Sequence, residues 1–341
     1  MPELSICMPS NRNFAASREA IKTALAYCEE RDALLIVSDN SEDAEKKAYW
    51  KGRSPRLTYF DNPGISGLDN TMTVLDAVTT PFLLSMGDDD FLFNDRNEAP
   101  FDLATLPYDY IGVMPVSEVY SEGHGIIQIK TLSLEQDEPI DRINGYIGAA
   151  QGNNSFYYSI FRREVFLPMV NFFFTAHPTK GGYADWALAL TMASYGKFQK
   201  DPSTIFRYNA GNWNSSQKIA DSSLALYRNA GLPDEAMIYE RLFMFLDLFI
   251  LTARVGSPLS QAERQKLGGD VVSRMLTMFI TEMSEAPEKF DGTVRYLATM
   301  ALDEKDAFTQ FQIGLMMADR VQPGLKDRYV AFLKESMGVT E

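Results

Sequence analysis

Between Leu4 and Asp90 the chain alternates short β-rich runs with helical spacing, and the fourth run ends on three consecutive aspartates. Leu4 to Met8 reads as a first strand. From Ser17 to Arg31 the residues Ala20, Ile21, Ala24, Leu25 and Cys28 recur three and four apart, which predicts a helix, and Leu34 to Ser38 follows as a second strand. Ser41 is placed to cap a short helix through Tyr49, after which Leu57 to Phe60, Ser66 to Val78 and Pro81 to Met86 read as strand, helix and strand. Such alternation predicts an α/β domain with a mostly parallel sheet covered by helices. In open sheets of this kind ligands bind beyond the carboxyl ends of the strands, which is where Asp88, Asp89 and Asp90 fall.

Beyond Pro100 the pattern is mixed. A strand is expected at Tyr110 to Val116, a hairpin around Gly123-His124-Gly125, and an amphipathic helix from Tyr183 to Ser194. After Asp221 apolar residues fall at helical intervals in Pro233 to Val255, Ser260 to Glu285, Asp303 to Asp319 and Leu325 to Met337. Ser260 with Glu263 forms a capping-box signal, and Gly256-Ser257-Pro258 punctuates the helix before it. The expected organisation is an α/β domain over 1–215 followed by a helical C-terminal domain over 216–341.

A chain of 341 residues with 45% hydrophobic content can bury a substantial core. Its net charge of −14 repels nucleic-acid phosphates and anionic lipid, so no nucleic-acid partner is expected. An acidic protein still binds a nucleotide diphosphate when a divalent cation and local donors offset the repulsion. No transmembrane segment is expected, since the greasiest piece, Met244 to Leu251, is interrupted by Asp247. Pro2-Glu3-Leu4 leads directly into the first strand, so no secretory leader is expected, and Cys7 and Cys28 sit in apolar patterns that suit reduced core thiols. Both features suit a cytoplasmic protein. His124 and His177 lie too far apart in sequence to suggest a zinc site.

Three adjoining carboxylates at a strand end repel one another unless solvent or a cation separates them. A solvated acidic turn is one explanation. A bound Mn²⁺ or Mg²⁺ is the other: these hard cations take one or two protein carboxylates and complete their shell with diphosphate oxygens and water.

Four stretches give the pattern more content. Leu4-Ser5-Ile6-Cys7-Met8-Pro9-Ser10-Asn11-Arg12, Leu35-Ile36-Val37-Ser38-Asp39-Asn40-Ser41, Asn62-Pro63-Gly64-Ile65-Ser66-Gly67 with Asn70, and Met86-Gly87-Asp88-Asp89-Asp90-Phe91-Leu92 occur in this order. They resemble the first strand, second strand, loop and metal motif of family-2-type glycosyltransferases. The resemblance implies a GT-A fold, Rossmann-like, with a nucleotide-binding half at 1–95, an acceptor-side half at 96–215 and a helical C-terminal extension. It also implies inverting transfer of a sugar from a nucleotide-diphosphate donor to an acceptor hydroxyl. Under it Pro9, Ser10, Asn11, Arg12, Asp39, Asn70, Asp88 and Asp89 line the nucleotide and donor, and Asp90 with Asp88 holds the metal, Mn²⁺ or Mg²⁺. A carboxylate at Asp39 accepts an N–H from uracil, thymine or guanine, which favours a UDP, dTDP or GDP donor; its other reading is a cap on the helix near Ser41. Gly87 stands where the family commonly has an aspartate.

Tyr183-Ala184-Asp185-Trp186 resembles the family's later acidic motif, which makes Asp185 the general base, with Ala184 where the usual form has a glutamate. As the start of an apolar helix running on through Ala187-Leu188-Ala189-Leu190, Asp185 also suits a helix N-terminus. Asn153 and Asn154 in Gln151-Gly152-Asn153-Asn154-Ser155, Trp186, and Trp213 at the end of Arg207-Tyr208-Asn209-Ala210-Gly211-Asn212-Trp213 are expected on the acceptor side, where a saccharide or lipid-linked acceptor would bind. A nucleotidyl- or phosphotransferase is a rival reading, but the chain has no glycine-rich phosphate loop and no basic cluster beside the aspartates. A degenerate member that binds a nucleotide sugar, or works through its C-terminal helices as a partner platform or homo-oligomer, is the non-catalytic alternative.

Overall fold

The computed structural model describes residues 2–211, 213 and 215–339. In chain order the elements are β1 (Leu4–Ser10), α1 (Phe14–Arg31), β2 (Leu34–Asp39), α2 (Ala44–Trp50), β3 (Leu57–Asp61), α3 (Gly67–Asp76), β4 (Phe82–Ser85), β5 (Phe91–Asn94), β6 (Tyr110–Ser121), β7 (Gly125–Lys130) and α4 (Pro139–Ala150). They continue with β8 (Ile160–Arg162), α5 (Arg163–Ala176), α6 (Asp185–Tyr195), β9 (Lys197–Asn209), α7 (Ser216–Asn229), α8 (Glu240–Ala253), α9 (Gln261–Val271), α10 (Thr277–Glu285), α11 (Gly292–Asp303), α12 (Ala307–Val321) and α13 (Leu325–Ser336). The chain forms two compact units, one of Met1–Glu135, Ala149–Leu167 and Lys197–Asn214, the other of Gln136–Gly148, Pro168–Gly196 and Ser215–Glu341. The chain's last passage between the units falls at 214/215, and 136–148 and 168–196, expected in the α/β domain, lie with the C-terminal helices.

The first unit carries a mixed sheet in the order β3-β2-β1-β4-β8-β6-β9-β5, with β7 paired to β6. β1, β2, β3 and β4 run parallel, as the alternating sequence predicted. β8 then joins β4 and β6 antiparallel, and β5 lies antiparallel on β9 at the far edge. β1 is almost wholly buried, since a parallel strand covered by helices has no solvent face. Ile6, Met8, Ile21, Leu35, Val37, Trp50 and Leu84 make the heart of this core, and Cys7 and Cys28 are buried and unpaired.

Cap chemistry sets several boundaries. α1 starts at Phe14 rather than near Ser17 because the Asn13 side chain accepts the Ala16 N–H at 3.0 Å. α2 starts at Ala44, with Asp43 and not Ser41 as its cap. Asp43 accepts the Lys46 N–H at 3.0 Å through Oδ1 and the Phe14 N–H at 2.8 Å through Oδ2, so one carboxylate caps α2 and ties it to the start of α1.

In the second unit α6 is buried from Ala187 through Tyr195, so the helix read as amphipathic is an interior one. The run predicted over Ser260 to Glu285 is α9 and α10 joined through a π turn at Val272–Leu276, and the Ser260–Glu263 capping box is present. α8 begins only at Glu240 because Asp234–Tyr239 winds as a 3₁₀ turn. His177 is a core residue: its Nε2 lies 2.9 Å from Asp247 Oδ1, and the Tyr329 hydroxyl donates to the same oxygen at 2.9 Å. The Lys180 N–H, at 3.0 Å, donates to His177 Nδ1, so Nε2 carries the proton that Asp247 accepts. Among the described residues no helix is long and apolar enough to cross a membrane.

Candidate active site

β1 and β2 end level, Ser10 opposite Asp39, and the chain leaves β4 for the aspartates directly beside them. The polar side chains at these ends form one continuous network. Asp39 is 3% exposed and accepts from the Tyr59 hydroxyl, from the Ser41 N–H at 3.0 Å and from Lys46 Nζ at 2.9 Å. Lys46 has no solvent exposure, and its ammonium also donates to Ser10 Oγ at 2.6 Å and to the Arg12 carbonyl at 2.7 Å. All three of its protons are therefore used. Ser10 Oγ passes the chain on by donating to Asp88 Oδ2 at 2.6 Å.

Besides Ser10, Asp88 Oδ2 accepts the Asn11 and Arg12 N–H groups at 3.1 and 3.0 Å, and Asp88 Oδ1 accepts the Arg12 guanidinium. The other arm of that guanidinium reaches Asp89 Oδ2 at 2.7 Å. Asp90 is held only by main chain: Oδ2 accepts the Gly87 N–H at 3.2 Å and Oδ1 the Asn209 N–H at 2.9 Å.

This wiring gives the three aspartates different proton affinities. Burial pushes the Asp88 carboxyl up, but the hydrogen bonds of Ser10 and Arg12 and the Arg12 charge outweigh it and hold it below the ordinary carboxylate range. Burial raises Asp89, with Arg12 opposing and the Asp88 charge adding. Asp90 is pushed up to about 7 by burial, with the Asn209 N–H opposing and the Asp89 charge adding. The folded state thus binds the Asp90 proton more tightly than the unfolded chain does. Stability is then lost as pH rises from about 4 towards 7, on the order of a few kcal/mol. In chelator, Asp90→Asn is expected to flatten the fall in melting temperature between pH 5 and pH 8; an unchanged slope removes Asp90 as its source.

Four carboxylates, Asp39, Asp88, Asp89 and Asp90, share two cationic side chains, Lys46 and Arg12, which leaves a local excess of negative charge. Gly87 leaves a space beside it. A Cβ there would meet Asp89 Oδ1 at 2.9 Å and Asp90 Oδ2 at 3.1 Å, so the two oxygens converge on a cradle that a larger residue would push apart. Among the described residues no group of three or more His, Cys, Asp or Glu side chains is arranged to hold a metal ion. Two converging carboxylate oxygens do fit a cation that draws the rest of its shell from diphosphate and water.

Of the residues expected at the site, Pro9, Ser10, Asn11, Arg12, Asp39, Asn70, Asp88, Asp89 and Asp90 belong to this unit. Pro9 pairs with Ser38 in the sheet, and Asn11 is exposed. Asn70 Nδ2 donates to the Ser10 carbonyl at 3.3 Å and to Asn40 Oδ1 at 3.4 Å, while its own Oδ1 is buried without a partner. Asn153 and Asn154 also belong to the first unit, where Lys130 Nζ donates to the Asn153 carbonyl at 3.3 Å. Trp213 is 37% exposed, its N–H 2.9 Å from the Ala210 carbonyl; Asn212 lies outside the described residues. Asp185 and Trp186 open α6 in the second unit, where the Asp185 carboxylate accepts the Trp186 N–H at 2.8 Å and Trp186 packs on Tyr146 with ring centres 5.8 Å apart. Lys46, Tyr59 and Asn209 were not foreseen as site residues. Lys46 reads locally as part of the charged run Glu42-Asp43-Ala44-Glu45-Lys46-Lys47, and nothing in that run marks it as buried.

Scanned against models of protein families the sequence matches none, and a search of characterised proteins gives no significant match. Solved structures do match. The chain aligns with S. aureus TarS 1-349, a glycosyltransferase, over 99% of its own length and 90% of that chain, with 12% identity and a TM-score of 0.51. The fold is glycosyltransferase-like. The same TarS fragment in complex with UDP aligns at 12% identity and a TM-score of 0.49, covering 99% of this chain and 90% of that one. In complex with UDP-GlcNAc it aligns at 14% identity and 0.48, covering 98% and 89%. At these identities the likeness speaks to fold, and the first alignment carries it; within that glycosyltransferase-like fold, the chemistry has to be argued from the side chains of this chain.

Proposed function

We propose that the chain is an inverting, metal-dependent glycosyltransferase of the GT-A type, taking a sugar from a nucleoside-diphosphate donor. The observation that carries this reading is the Gly87 cradle at the ends of parallel strands, where Asp89 and Asp90 oxygens converge beside a charge deficit. Mn²⁺ or Mg²⁺ held by these two carboxylates would neutralise the departing diphosphate. Asp88 Oδ2 is taken up by Ser10, Asn11 and Arg12, which makes Asp88 the residue that keeps the turn after β1 formed, while its Oδ1 keeps one acceptor position beyond the Arg12 guanidinium and would serve the metal beside Asp90 and Asp89. Arg12 is the cation nearest the cradle, its side chain 37% exposed, and it would meet donor phosphate. Asp39 keeps one acceptor position beyond those taken by Lys46, Ser41 and Tyr59, so it would read the base through Oδ2 alone. Asp185 would take the proton of the acceptor hydroxyl, a saccharide or lipid-linked group, as the C–O bond to the sugar forms and the bond to diphosphate breaks.

The test is a thermal-shift panel of UDP, GDP, dTDP, CDP and ADP, each with Mn²⁺, Mg²⁺ or chelator, run on the wild type and on Asp90→Asn. A diphosphate at about a hundred times its dissociation constant stabilises by about 2.7 kcal/mol. Stabilisation by one diphosphate, dependent on metal and lost in Asp90→Asn, is the expected result. No response to any of the five would favour a chain that works through its helices as a partner-binding protein.

A further inference from the structure

In the second unit the 3₁₀ turn Gly182–Ala184 delivers Asp185 to the start of α6, and the 3₁₀ turn Asp234–Tyr239 delivers Glu240 to the start of α8. The two helix starts are fastened side by side by aromatic rings. Tyr183, two residues before Asp185, stacks on Tyr227 of α7 with ring centres 4.5 Å apart and planes 7° from parallel. Phe243, one turn into α8 from Glu240, packs on Tyr183 at 5.7 Å and on Tyr227 at 6.3 Å. Two carboxylates, each the first residue of a helix, are thereby brought together where both helix dipoles favour negative charge.

A third group belongs to the same place. The Tyr227 hydroxyl is buried and makes no hydrogen bond, a costly condition for a phenol in a native fold. After burial itself, the largest influence on that hydroxyl is the charge of Glu240, followed by Tyr183, Asp247 and Asp185. An unmet donor beside two carboxylates is a position that a ligand oxygen completes.

We propose that Glu240 is a positioning residue for Asp185, acting on the acceptor side through the base, and that the Tyr227 hydroxyl is completed by the acceptor. This rests on the reading of Asp185 as general base. The family's usual form carries a glutamate directly before the aspartate, and here Ala184 stands in that place; Glu240 returns a carboxylate to the base from a different helix. Glu240 is an exposed residue, yet desolvation of its carboxylate is the largest cause of its raised proton affinity, followed by the charge of Asp185; Arg241 opposes and Glu282 of α10 adds. The repulsion between the two carboxylates acts on both, and it is through this interaction that Glu240 bears on the base.

The experiment is a carboxyl ¹³C titration of the full chain, wild type against Asp185→Asn, with the pH profile of donor hydrolysis measured on wild type and Glu240→Gln. Asp185→Asn is expected to lower the Glu240 midpoint by about half a pH unit or more, and Glu240→Gln to shift the acidic limb of the rate profile to lower pH by a similar step. Tyr227→Phe, which deletes a hydroxyl bonded to nothing in the fold, is expected to melt at the wild-type temperature while transfer falls. A Glu240 midpoint unmoved by Asp185→Asn, or superimposable rate profiles, overturns the proposal. If no donor is turned over at all, the glycosyltransferase reading fails, and the carboxyl titration still decides whether the pair exists.

Discussion

Replacing Lys46 with methionine is expected to lower the melting temperature by about 10 °C, the largest stability effect of any single change considered for the first unit. Lys46 is fully buried and divides its three protons among Asp39, Ser10 and the Arg12 carbonyl. Methionine fills a similar volume but leaves the Asp39 carboxylate, itself 3% exposed, with two neutral donors and no counter-charge. Removing one partner of a buried ion pair costs about 3–5 kcal/mol, far more than the pair contributes when both partners are present. The control follows from the same asymmetry: adding Asp39→Asn to Lys46→Met removes the stranded charge and should recover part of the loss. Calorimetry of the two variants checks both statements. A Lys46→Met protein that melts within a degree of the wild type would mean that Asp39 finds solvent or another cation.

Asp185→Asn is expected to lower transfer by about 10²–10⁴-fold while leaving donor affinity in place. Asparagine keeps the shape and the acceptor oxygen that takes the Trp186 N–H at 2.8 Å, so the start of α6 should be undisturbed. What it loses is the capacity to hold a proton. Measured with the diphosphate and metal found in the thermal-shift panel, the variant should show the wild-type shift and almost no turnover. Wild-type rates of both transfer and donor hydrolysis in Asp185→Asn would place the base elsewhere.

The parallel part of the fold was legible because its signals are local. Strands buried on both faces read as apolar runs, and α1 and α3 carry apolar residues at helical spacing, so β1 to β4 were found with their ends within two residues. β5, β8 and β9 were not. Each is set by pairing with a strand distant in sequence, and β8 is only Ile160-Phe161-Arg162, too short to show a period. α5 was hidden by Pro168 within it, and α6 was misread as amphipathic because its small residues Ala187, Ala189 and Ala193 are buried as fully as its large ones. At the site the aspartates announced themselves as an acidic triplet, but their division of labour did not. That division depends on Ser10, Lys46 and Asn209, whose proximity to the triplet is wholly a matter of tertiary structure.

The dependence of Asp90 on Asn209 has a consequence for how the protein is made. Among the described residues β5, the strand that leaves the aspartates, pairs in the sheet with β9 alone, and the Asn209 N–H at the end of β9 holds the Asp90 carboxylate. Tyr27 and Arg31 of α1 likewise bond to Thr204 and Ser203. A nascent chain that has emerged only as far as Asn94 can build β1 to β4 and still lacks the strand that closes its acidic end. The cradle is therefore assembled late in synthesis, after more than a hundred further residues, and a fragment ending before β9 is a poor substitute for the whole chain in ligand-binding work.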